Sequence, residues 1–234
     1  LEDNVEELWL GGAARSGTGN GEGNRLFGTL GDDTLNGLAG ADALRGRNGA
    51  DELHGGGGDD IVYGGIGNDE LFGEGDDDRL NGEAGADTID GGGGNDQLFG
   101  REGGDTLTGG AGTDYLYGGI QKDTMTGGTD GDRFLFDDGD TSSQQFAADV
   151  ITDFHRVQGD LINLRSMDAD SSTVADDNFT FIGAGAFSGA AGELRYKVVG
   201  ADAYLQGDTD GDGLANFHIK VENVATLIAA DIVV

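Results

Sequence analysis

A nine-residue unit of the form G-G-x-G-x-D-x-U-x, in which U is a large apolar residue, repeats thirteen times without insertion from Gly19 to Leu135. Self-similarity at a fixed period is typical of repeat architectures, in which each unit is stabilised by stacking on its neighbours. One apolar residue in nine is too few for an amphipathic helix, but it suits a short strand with one inward side chain. Two units then make one eighteen-residue turn, and the repeat predicts stacked turns that form two facing sheets.

Position six of the unit is Asn24 in the first unit and aspartate in the other twelve. Residues eighteen apart lie above one another in such a stack, so the aspartates form two columns in which bare carboxylates ~5 Å apart would repel. The alternative, that aspartate merely favours turns beside glycine, accounts for one motif but poorly for twelve in register. The predicted metal ligands are Asp33, Asp42, Asp51, Asp60, Asp69, Asp78, Asp87, Asp96, Asp105, Asp114, Asp123 and Asp132.

A hard divalent cation between successive carboxylates would replace this repulsion with attraction. Glycine-rich turns expose carbonyl oxygens that can complete a shell of about six to eight oxygen ligands, which is the shell that calcium takes. Zinc and copper prefer His or Cys ligands, and magnesium keeps its waters. The columns therefore predict several calcium ions.

The formal net charge is −32, with 45 Asp and Glu against 13 Lys and Arg. This charge argues against a nucleic-acid partner and for a chain that needs cations to become compact. The absence of Cys excludes disulfides and thiolate zinc sites, and no apolar run approaches the ~20 residues of a membrane span. One inward side chain per unit buries too little area to offset the entropy of ordering the backbone, so folding is expected to depend on the ions.

The repeat resembles the RTX (repeats-in-toxin) calcium-binding β-roll. It is similar to the C-terminal region of serralysin-type secreted metalloproteases and to the roll modules of mannuronan epimerases. The resemblance implies an all-β fold: a right-handed parallel β-roll of two short-stranded sheets with calcium in the turns, followed by an antiparallel β C-terminal cap.

In that family each ion lies between two loops one turn apart. One loop supplies the carbonyls of positions two and four with its Asp, and the next supplies the carbonyls of positions one and three with its Asp. Carried onto this sequence, the resemblance implies carbonyl ligands at Gly56, Gly58, Gly65, Gly67, Gly82, Ala84, Gly92, Gly94, Gly109 and Ala111. Departures such as Asn24 at position six, or Glu22 and Gln121 at position four, predict weaker sites at both ends than in the middle.

The chain divides into three predicted segments. Residues 1–18 form an N-terminal cap or the tail of an upstream domain, residues 19–136 the β-roll, and residues 137–234 the C-terminal cap. In the last segment, D-V-I-T-D-F at 149–154 and G-D-L-I-N-L at 159–164 resemble the strands that follow the roll in serralysin-like proteins. Further strands are predicted at 179–187, 194–199, 203–206 and 217–221.

Two short acidic motifs lie in the C-terminal segment. Asp208, Asp210 and Asp212 match the start of an EF-hand loop and are a candidate extra metal site, but Ile219 stands where a bidentate Glu is required. An acidic hairpin turn is therefore favoured there over a tight calcium site. The final Asp231-Ile232-Val233-Val234 resembles the end of a type I secretion signal, which implies that Val234 is a natural C-terminus.

Positions seven and nine flank the inward residue, and in odd-numbered units they carry Arg and aromatic residues without an acid. Aromatic faces stack on sugar rings and Arg pairs with carboxylates, so this face is a candidate ligand surface. The alternatives are β-propensity with cross-strand stacking, or cover by the C-terminal segment. The candidate residues are Arg25, Phe27, Arg45, Tyr63, Arg79, Phe99, Tyr115, Tyr117 and Arg133.

The chain carries no H-E-x-x-H or G-x-S-x-G motif and no Cys nucleophile, so we expect it not to be an enzyme by itself. The favoured function is a calcium-binding module that folds on extracellular calcium and supports type I secretion and stability of a larger exported protein of a Gram-negative bacterium. The expected partners are calcium, the type I secretion machinery and an upstream domain. An accessory module that binds acidic polysaccharide is the alternative, and an adhesive or membrane-active protein is a further one.

Overall fold

The computed structural model describes residues 2, 6–13, 15–140, 147–171 and 177–234. Parts of the predicted N-terminal cap and of the C-terminal segment, at 1, 3–5, 14, 141–146 and 172–176, lie outside the described residues. The described residues are almost entirely β-strands and turns, with one short 3₁₀ helix at Ala229–Asp231.

The first fifteen strands start about nine residues apart, and the first two of them precede the repeat. They are β1 Glu7–Trp9, β2 Ser16–Thr18, β3 Arg25–Phe27, β4 Thr34–Ala39, β5 Ala43–Asn48, β6 Glu52–Gly57, β7 Ile61–Ile66, β8 Glu70–Gly75, β9 Arg79–Ala84, β10 Thr88–Gly93, β11 Gln97–Glu102, β12 Thr106–Ala111, β13 Tyr115–Ile120, β14 Thr124–Thr129 and β15 Arg133–Asp137. The C-terminal strands are β16 Asp149–Ile151, β17 Leu161–Ser166, β18 Thr180–Gly183, β19 Glu193–Val199, β20 Asp202–Asp208, β21 Phe217–Val221 and β22 Ile232–Val233.

Alternate strands belong to two different sheets. The ten-stranded sheet has the order β1-β3-β5-β7-β9-β11-β13-β15-β17-β22, and the twelve-stranded sheet has β18-β19-β20-β21-β16-β14-β12-β10-β8-β6-β4-β2. Neighbouring strands of the repeat are parallel and shifted by eighteen residues, so Leu80 pairs with Leu98 and Ile89 with Leu107. The stacked turns and two facing sheets that the period predicts are confirmed, as is the parallel β-roll that the resemblance implies.

The strands of the roll extend further than one inward residue requires. A full strand such as β11 starts at position seven of one unit and ends at position three of the next, which confines the turn to positions four to six. Position two lies inside the strand with left-handed backbone, as at Glu83 (φ 73°) and Arg101 (φ 86°). The side chain at position two therefore belongs to the sheet, not to the turn as the sequence pattern suggested.

The core of the roll is a single file of the position-eight side chains. All thirteen have 0 % exposed surface, from Leu26 through Leu80 to Phe134. The same cluster of buried residues continues into the C-terminal segment through Ile151 and Ile162. The apolar core is thus continuous from the repeat into the cap.

The C-terminal segment first continues the roll and then departs from it. Strand β16 pairs in parallel with β14, and β17 in parallel with β15, so both sheets of the roll grow beyond the repeat. Strands β19, β20 and β21 are antiparallel, whereas β21 joins β16 in parallel. The cap expected to be antiparallel is therefore mixed, because its first strands complete parallel ladders that the roll leaves open.

Helices long and apolar enough to cross a bilayer are absent from the described part of the chain.

Candidate metal centre

The predicted column aspartates lie along the two edges of the roll at the ends of the turns. Each donates its backbone N–H to the carboxylate of the aspartate one turn later: Asp78 to Asp96 Oδ1 at 2.8 Å, and Asp96 to Asp114 Oδ1 at 2.8 Å. The bond recurs at 2.7 to 3.0 Å for every successive pair from Asp33 to Asp132. In every column aspartate except Asp33, one oxygen is fixed by a backbone N–H of the preceding turn; for Asp42 the donor is Asn24.

The second oxygen of these carboxylates has no such partner. In eleven aspartates Oδ2 is buried and accepts no hydrogen bond from the described residues. A buried carboxylate oxygen without a donor is costly, and a row of them in register is compatible with a bound cation. The eleven are Asp42, Asp51, Asp60, Asp69, Asp78, Asp87, Asp96, Asp105, Asp114, Asp123 and Asp132.

Main-chain carbonyl oxygens share the space into which Oδ2 projects. A methyl group placed on Gly91 would lie within 3.0 Å of both Asp96 Oδ2 and the Gly109 carbonyl oxygen. A methyl group placed on Gly64 would also lie within 3.0 Å of both Asp69 Oδ2 and the Gly82 carbonyl oxygen. The position-one carbonyl of one turn and the aspartate of the preceding turn therefore converge, as the ligand pattern predicts.

The other predicted carbonyl positions are in the same loops. The carbonyl oxygens of Gly92 and Gly94 face the next turn, where a methyl group on Gly110 or Gly112 would meet them. The Ala111 carbonyl accepts the Gly94 N–H at 2.8 Å, which holds the two loops together. All donors that converge here are oxygens, a set suited to calcium. Their assignment as metal ligands stays a prediction.

Burial and neighbouring charge make these carboxylates resist ionisation without a cation. The pKa of Asp78 is raised to about 8, chiefly by burial; the N–H donated by Asp60 lowers it, and the charges of Asp60 and Asp96 raise it. Burial likewise raises the pKa of Asp96 to about 6. The pKa is raised, with burial as the first cause, for every column aspartate from Asp42 to Asp132.

The columns continue past the repeat into residues that the repeat pattern did not include. Asp123 donates its N–H to Asp149 Oδ1 at 2.9 Å, and Asp132 to Asp160 Oδ1 at 3.1 Å. Asp160 Oδ2 also accepts the His155 N–H, so both of its oxygens are used. The spacing could have revealed both residues, since Asp149 and Asp160 each stand two residues before an inward isoleucine, as in the repeat.

The candidate EF-hand-like site lies in the connection between β20 and β21. Oxygens of Asp208, Asp210 and Asp212 lie within 4.8 Å of one another. Asp208 is buried, and its two oxygens accept the N–H groups of Gly211 at 2.7 Å and Gly213 at 2.9 Å. This arrangement is an acidic hairpin turn that satisfies its buried carboxylate from its own backbone.

The candidate ligand face lies on the ten-stranded sheet and forms an Arg–aromatic ladder. Guanidinium carbons lie over ring centroids of neighbouring strands, at 4.8 Å for Arg45 over Tyr63, 4.7 Å for Arg79 over Phe99 and 5.6 Å for Arg133 over Tyr115. Stacked Trp9 and Phe27, 4.0 Å apart, begin it. The cross-strand stacking anticipated as the structural alternative is present.

Three members of this ladder were not predicted from the sequence: Trp9 precedes the repeat, and Arg47 and Arg101 stand at position two, which was assigned to the turn. Arg47 lies 4.8 Å from the Trp9 ring, and Arg101 lies 5.1 Å from Phe99. The same strands also carry Glu83 and Glu102, so the face is not free of acids once positions two and three are counted.

Comparison with known proteins places these features in a family. The RTX calcium-binding nonapeptide repeat matches residues 18–53, 37–71, 63–98, 72–107 and 99–134, which together span half of the chain. No curated protein matches the chain by sequence.

Two solved structures from Azotobacter vinelandii are similar, both solution structures of subunits of a mannuronan C5-epimerase. The AlgE6R2 subunit is 30 % identical, with 73 % of this chain and 89 % of that chain covered and a TM-score of 0.35. The AlgE6R3 subunit is 29 % identical, with 69 % and 79 % covered and a TM-score of 0.32. With its repeat matched over residues 18–134 and its aspartates aligned in two columns, the chain belongs to the RTX calcium-binding nonapeptide repeat family.

Proposed function

We propose that this chain is the calcium-driven folding module of a larger exported protein: it orders when its turns bind calcium outside the cell and supports type I secretion and stability. The observation that carries the proposal is the register of eleven buried Oδ2 atoms without a donor. Each would gain a charge partner from an ion between two turns. The chain itself is proposed to have no catalytic role.

The calcium gradient across the cell envelope supplies the switch. A site with micromolar or weaker affinity is empty in cytosol and filled by millimolar extracellular calcium. Each filled site adds RT ln(1 + [Ca]/Kd), which is about 2.7 kcal/mol at a hundredfold excess over Kd. Several such sites together exceed the stability of an ordinary domain, so folding would follow export.

The C-terminal residues support the same order of events. Asp231 is buried and accepts two hydrogen bonds from the Arg156 guanidinium, and β22 is paired with β17. A segment incorporated in a sheet is not available to an exporter. If Asp231–Val234 is the recognised signal, the chain has to be exported before this part folds.

Circular dichroism of the chelator-treated chain tests the proposal. We expect little β-sheet signal in chelator, a cooperative gain on addition of calcium, and no comparable gain with magnesium at the same concentration. Full β-sheet signal in chelator, or equal response to both ions, would contradict it.

A pair of adjacent substitutions provides the matched control. Asp69→Asn removes a column carboxylate with a buried, unpartnered oxygen, whereas Glu70→Gln removes the same charge from an exposed neighbour. Asp69→Asn is expected to raise the calcium midpoint several-fold, and Glu70→Gln to leave it unchanged. Equal shifts would mean that only net charge matters.

The Arg–aromatic ladder favours a second function, binding of acidic polysaccharide. In a chain of net charge −32 it places Arg45, Arg79 and Arg133 on one sheet together with aromatic rings. Guanidinium groups pair with uronate carboxylates, and ring faces stack on sugars. We propose this as an accessory role of the same module.

Titration of the calcium-loaded chain with a polyuronate tests this second role. The triple substitution Tyr63→Ala, Phe99→Ala and Tyr117→Ala is expected to abolish binding. Thr106→Ala, Thr108→Ala and Thr124→Ala, on the twelve-stranded sheet, form the control and are expected to preserve it. Binding that survives the aromatic triple substitution would leave the ladder with a structural role only.

A further inference from the structure

The first two units use their position-six side chain differently from the other eleven. In units three to thirteen the oxygen that projects between turns has no hydrogen-bond donor among the described residues. In unit one, Asn24 Oδ1 accepts the Asn20 N–H at 2.7 Å, and in unit two Asp33 Oδ2 accepts the Thr29 N–H at 2.5 Å. The backbone of position two thus occupies the oxygen that later units leave open.

Arg15 stands one turn before Asp33, where the column would next place an aspartate. Strand β2 pairs with β4 in the eighteen-residue register, and Thr34 donates its N–H to the Arg15 carbonyl at 2.8 Å. A cationic residue therefore occupies the first place of a column that is otherwise acidic.

The guanidinium of Arg15 contacts oxygens of positions two, four and six of unit two. It donates to Thr29 Oγ1 and, at 3.2 Å, to the Gly31 carbonyl, and its Nη1 lies 3.6 Å from Asp33 Oδ1. That Asp33 oxygen is buried and accepts no hydrogen bond, so the guanidinium is its charge partner. The ligand pattern assigns the same three positions to a cation in later units, with the difference that at position two it uses the carbonyl and Arg15 contacts the Thr29 hydroxyl.

The Gly31 carbonyl has turned toward Arg15 and away from the following turn. In the middle of the roll the position-four carbonyl oxygen faces the next turn, so a methyl group on Gly112 would meet the Gly94 oxygen first. A methyl group on Gly49 would instead meet Gly31 C and Asp32 N, each at 2.5 Å, and the Gly31 oxygen is not among its three nearest atoms. The candidate ion site between units two and four therefore lacks the Gly31 carbonyl oxygen.

We infer that Arg15 is a built-in cation that closes the first turn of this column without calcium, so that calcium binding in the column starts at the Asp51 loop and not at Asp33. The inference rests on the proposed calcium-binding function. The Asn20–Asn24 hydrogen bond closes the first turn of the other column in the same metal-free way. A repeat stack needs atypical terminal units, and a terminal turn held by fixed groups stays ordered at calcium concentrations that leave weak sites empty.

Counting the calcium ions bound to the full chain tests this inference. Native mass spectrometry at saturating calcium would compare wild type with Asp33→Asn and with Asp87→Asn, the matched residue three turns later in the same column. We expect Asp33→Asn to bind as many ions as wild type and Asp87→Asn to lose at least one. Loss from Asp33→Asn equal to that from Asp87→Asn would overturn the inference alone. A wild-type chain that binds no calcium would overturn the proposed function and this inference together.

Hydrogen exchange provides a test that does not depend on substituting Asp33. At calcium just sufficient to fold the chain, Arg15→Gln is expected to speed exchange of the Thr34 amide roughly tenfold, the loss of about one charge-assisted hydrogen bond. Higher calcium should slow the exchange again in Arg15→Gln, because an ion can replace the missing charge, and should leave wild type unchanged. Exchange in Arg15→Gln that equals wild type, or that ignores calcium, would overturn the inference.

Discussion

At the scale of single residues, the aspartate at position six performs two tasks with its two oxygens. Asp96 Oδ1 fixes the turn by accepting the Asp78 N–H, and Asp96 Oδ2 remains buried without a donor. The first task would be served as well by Asn, but the second calls for a negative charge with a cation beside it. This division explains why the column tolerates Asn24 only in the first unit, where the amide oxygen has a backbone donor.

Glycine at position one leaves the space in which these oxygens meet. Gly91→Ala would place a methyl group within 3.0 Å of Asp96 Oδ2 and the Gly109 carbonyl oxygen. We expect it to raise the calcium midpoint and to destabilise the loaded chain by about 1–3 kcal/mol. Thermal unfolding in calcium measures the effect.

Gly57→Ala is the control for that substitution. Gly57 is the last residue of β6, whereas Gly91 lies inside β10, and a methyl group on Gly57 would meet no atom within 4 Å. Unfolding temperatures that fall equally in both variants would show that the loss comes from the backbone and not from the crowded oxygens.

At the scale of the strand, each element contributes one inward side chain and one rung of parallel hydrogen bonds. Leu98 in β11 packs in the file of position-eight residues and has 0 % exposed surface, whereas its neighbour Gln97 is exposed. Because strands contact mainly the next turn on either side, damage to one strand propagates through nearest neighbours.

Leu98→Ala is expected to destabilise the calcium-loaded chain by about 2–5 kcal/mol, since its cavity has rigid neighbours on both sides. Gln97→Ala should cost less than about 0.5 kcal/mol. Chemical denaturation at fixed calcium measures both. A Leu98→Ala cost no larger than that of Gln97→Ala would mean that the file of leucines does not stabilise the roll.

At the scale of the whole molecule, the proposed calcium sites would couple folding to both proton and calcium occupancy of the same carboxylates. The folded metal-free state raises the pKa of Asp78 and Asp123 to about 8 and of Asp96 to about 6, above the unfolded value near 3.9. A raised folded-state pKa means that protonation stabilises the fold. That stabilisation is complete below about pH 4 and is lost as pH rises through 6 to 8.

We therefore expect the chelated chain to show more β-sheet signal at pH 5 than at pH 8. With calcium present the effect reverses: acidification from pH 8 to pH 6 should raise the calcium midpoint, because protons compete for the same oxygens. Circular dichroism at both pH values, with and without calcium, checks the two directions. Midpoints independent of pH would exclude the column carboxylates as ligands.

The continuity of the core explains how the C-terminal segment and the repeat form one fold. Ile151 and Ile162 continue the file of buried residues, while Asp149 and Asp160 continue the columns. Both carboxylate oxygens of Asp160, at the C-terminal end of its column, accept backbone N–H groups. Backbone N–H groups likewise bind an oxygen of Asn24 and of Asp33, at the N-terminal ends of the two columns. Hydrogen bonds within the protein therefore close both columns at the N-terminal end of the roll and the Asp160 column at its C-terminal end.

The nine-residue period specifies the stacked turns, their inward residues and the two aspartate columns, and the family resemblance adds that the strands are parallel. A strict period of nine places Leu80 over Leu98 and Asp78 over Asp96 whatever the details of the turns. Local periodicity is enough, because each contact is made with the residue eighteen positions away.

Tertiary packing, by contrast, sets which of the described oxygens lack a donor, where the columns begin and end, and which side chains share a face. The repeat pattern does not mark Arg15, Arg47 or Asp149. The roles of Arg15 and Asp149 depend on the direction of hydrogen bonds, and that of Arg47 depends on its left-handed backbone inside a strand. A repeat specifies neighbours in register, but it does not specify the direction of a carbonyl group or what replaces a missing turn. The carbonyl directions and the groups that replace a missing turn follow from packing at the ends of the stack, where the nine-residue period no longer applies.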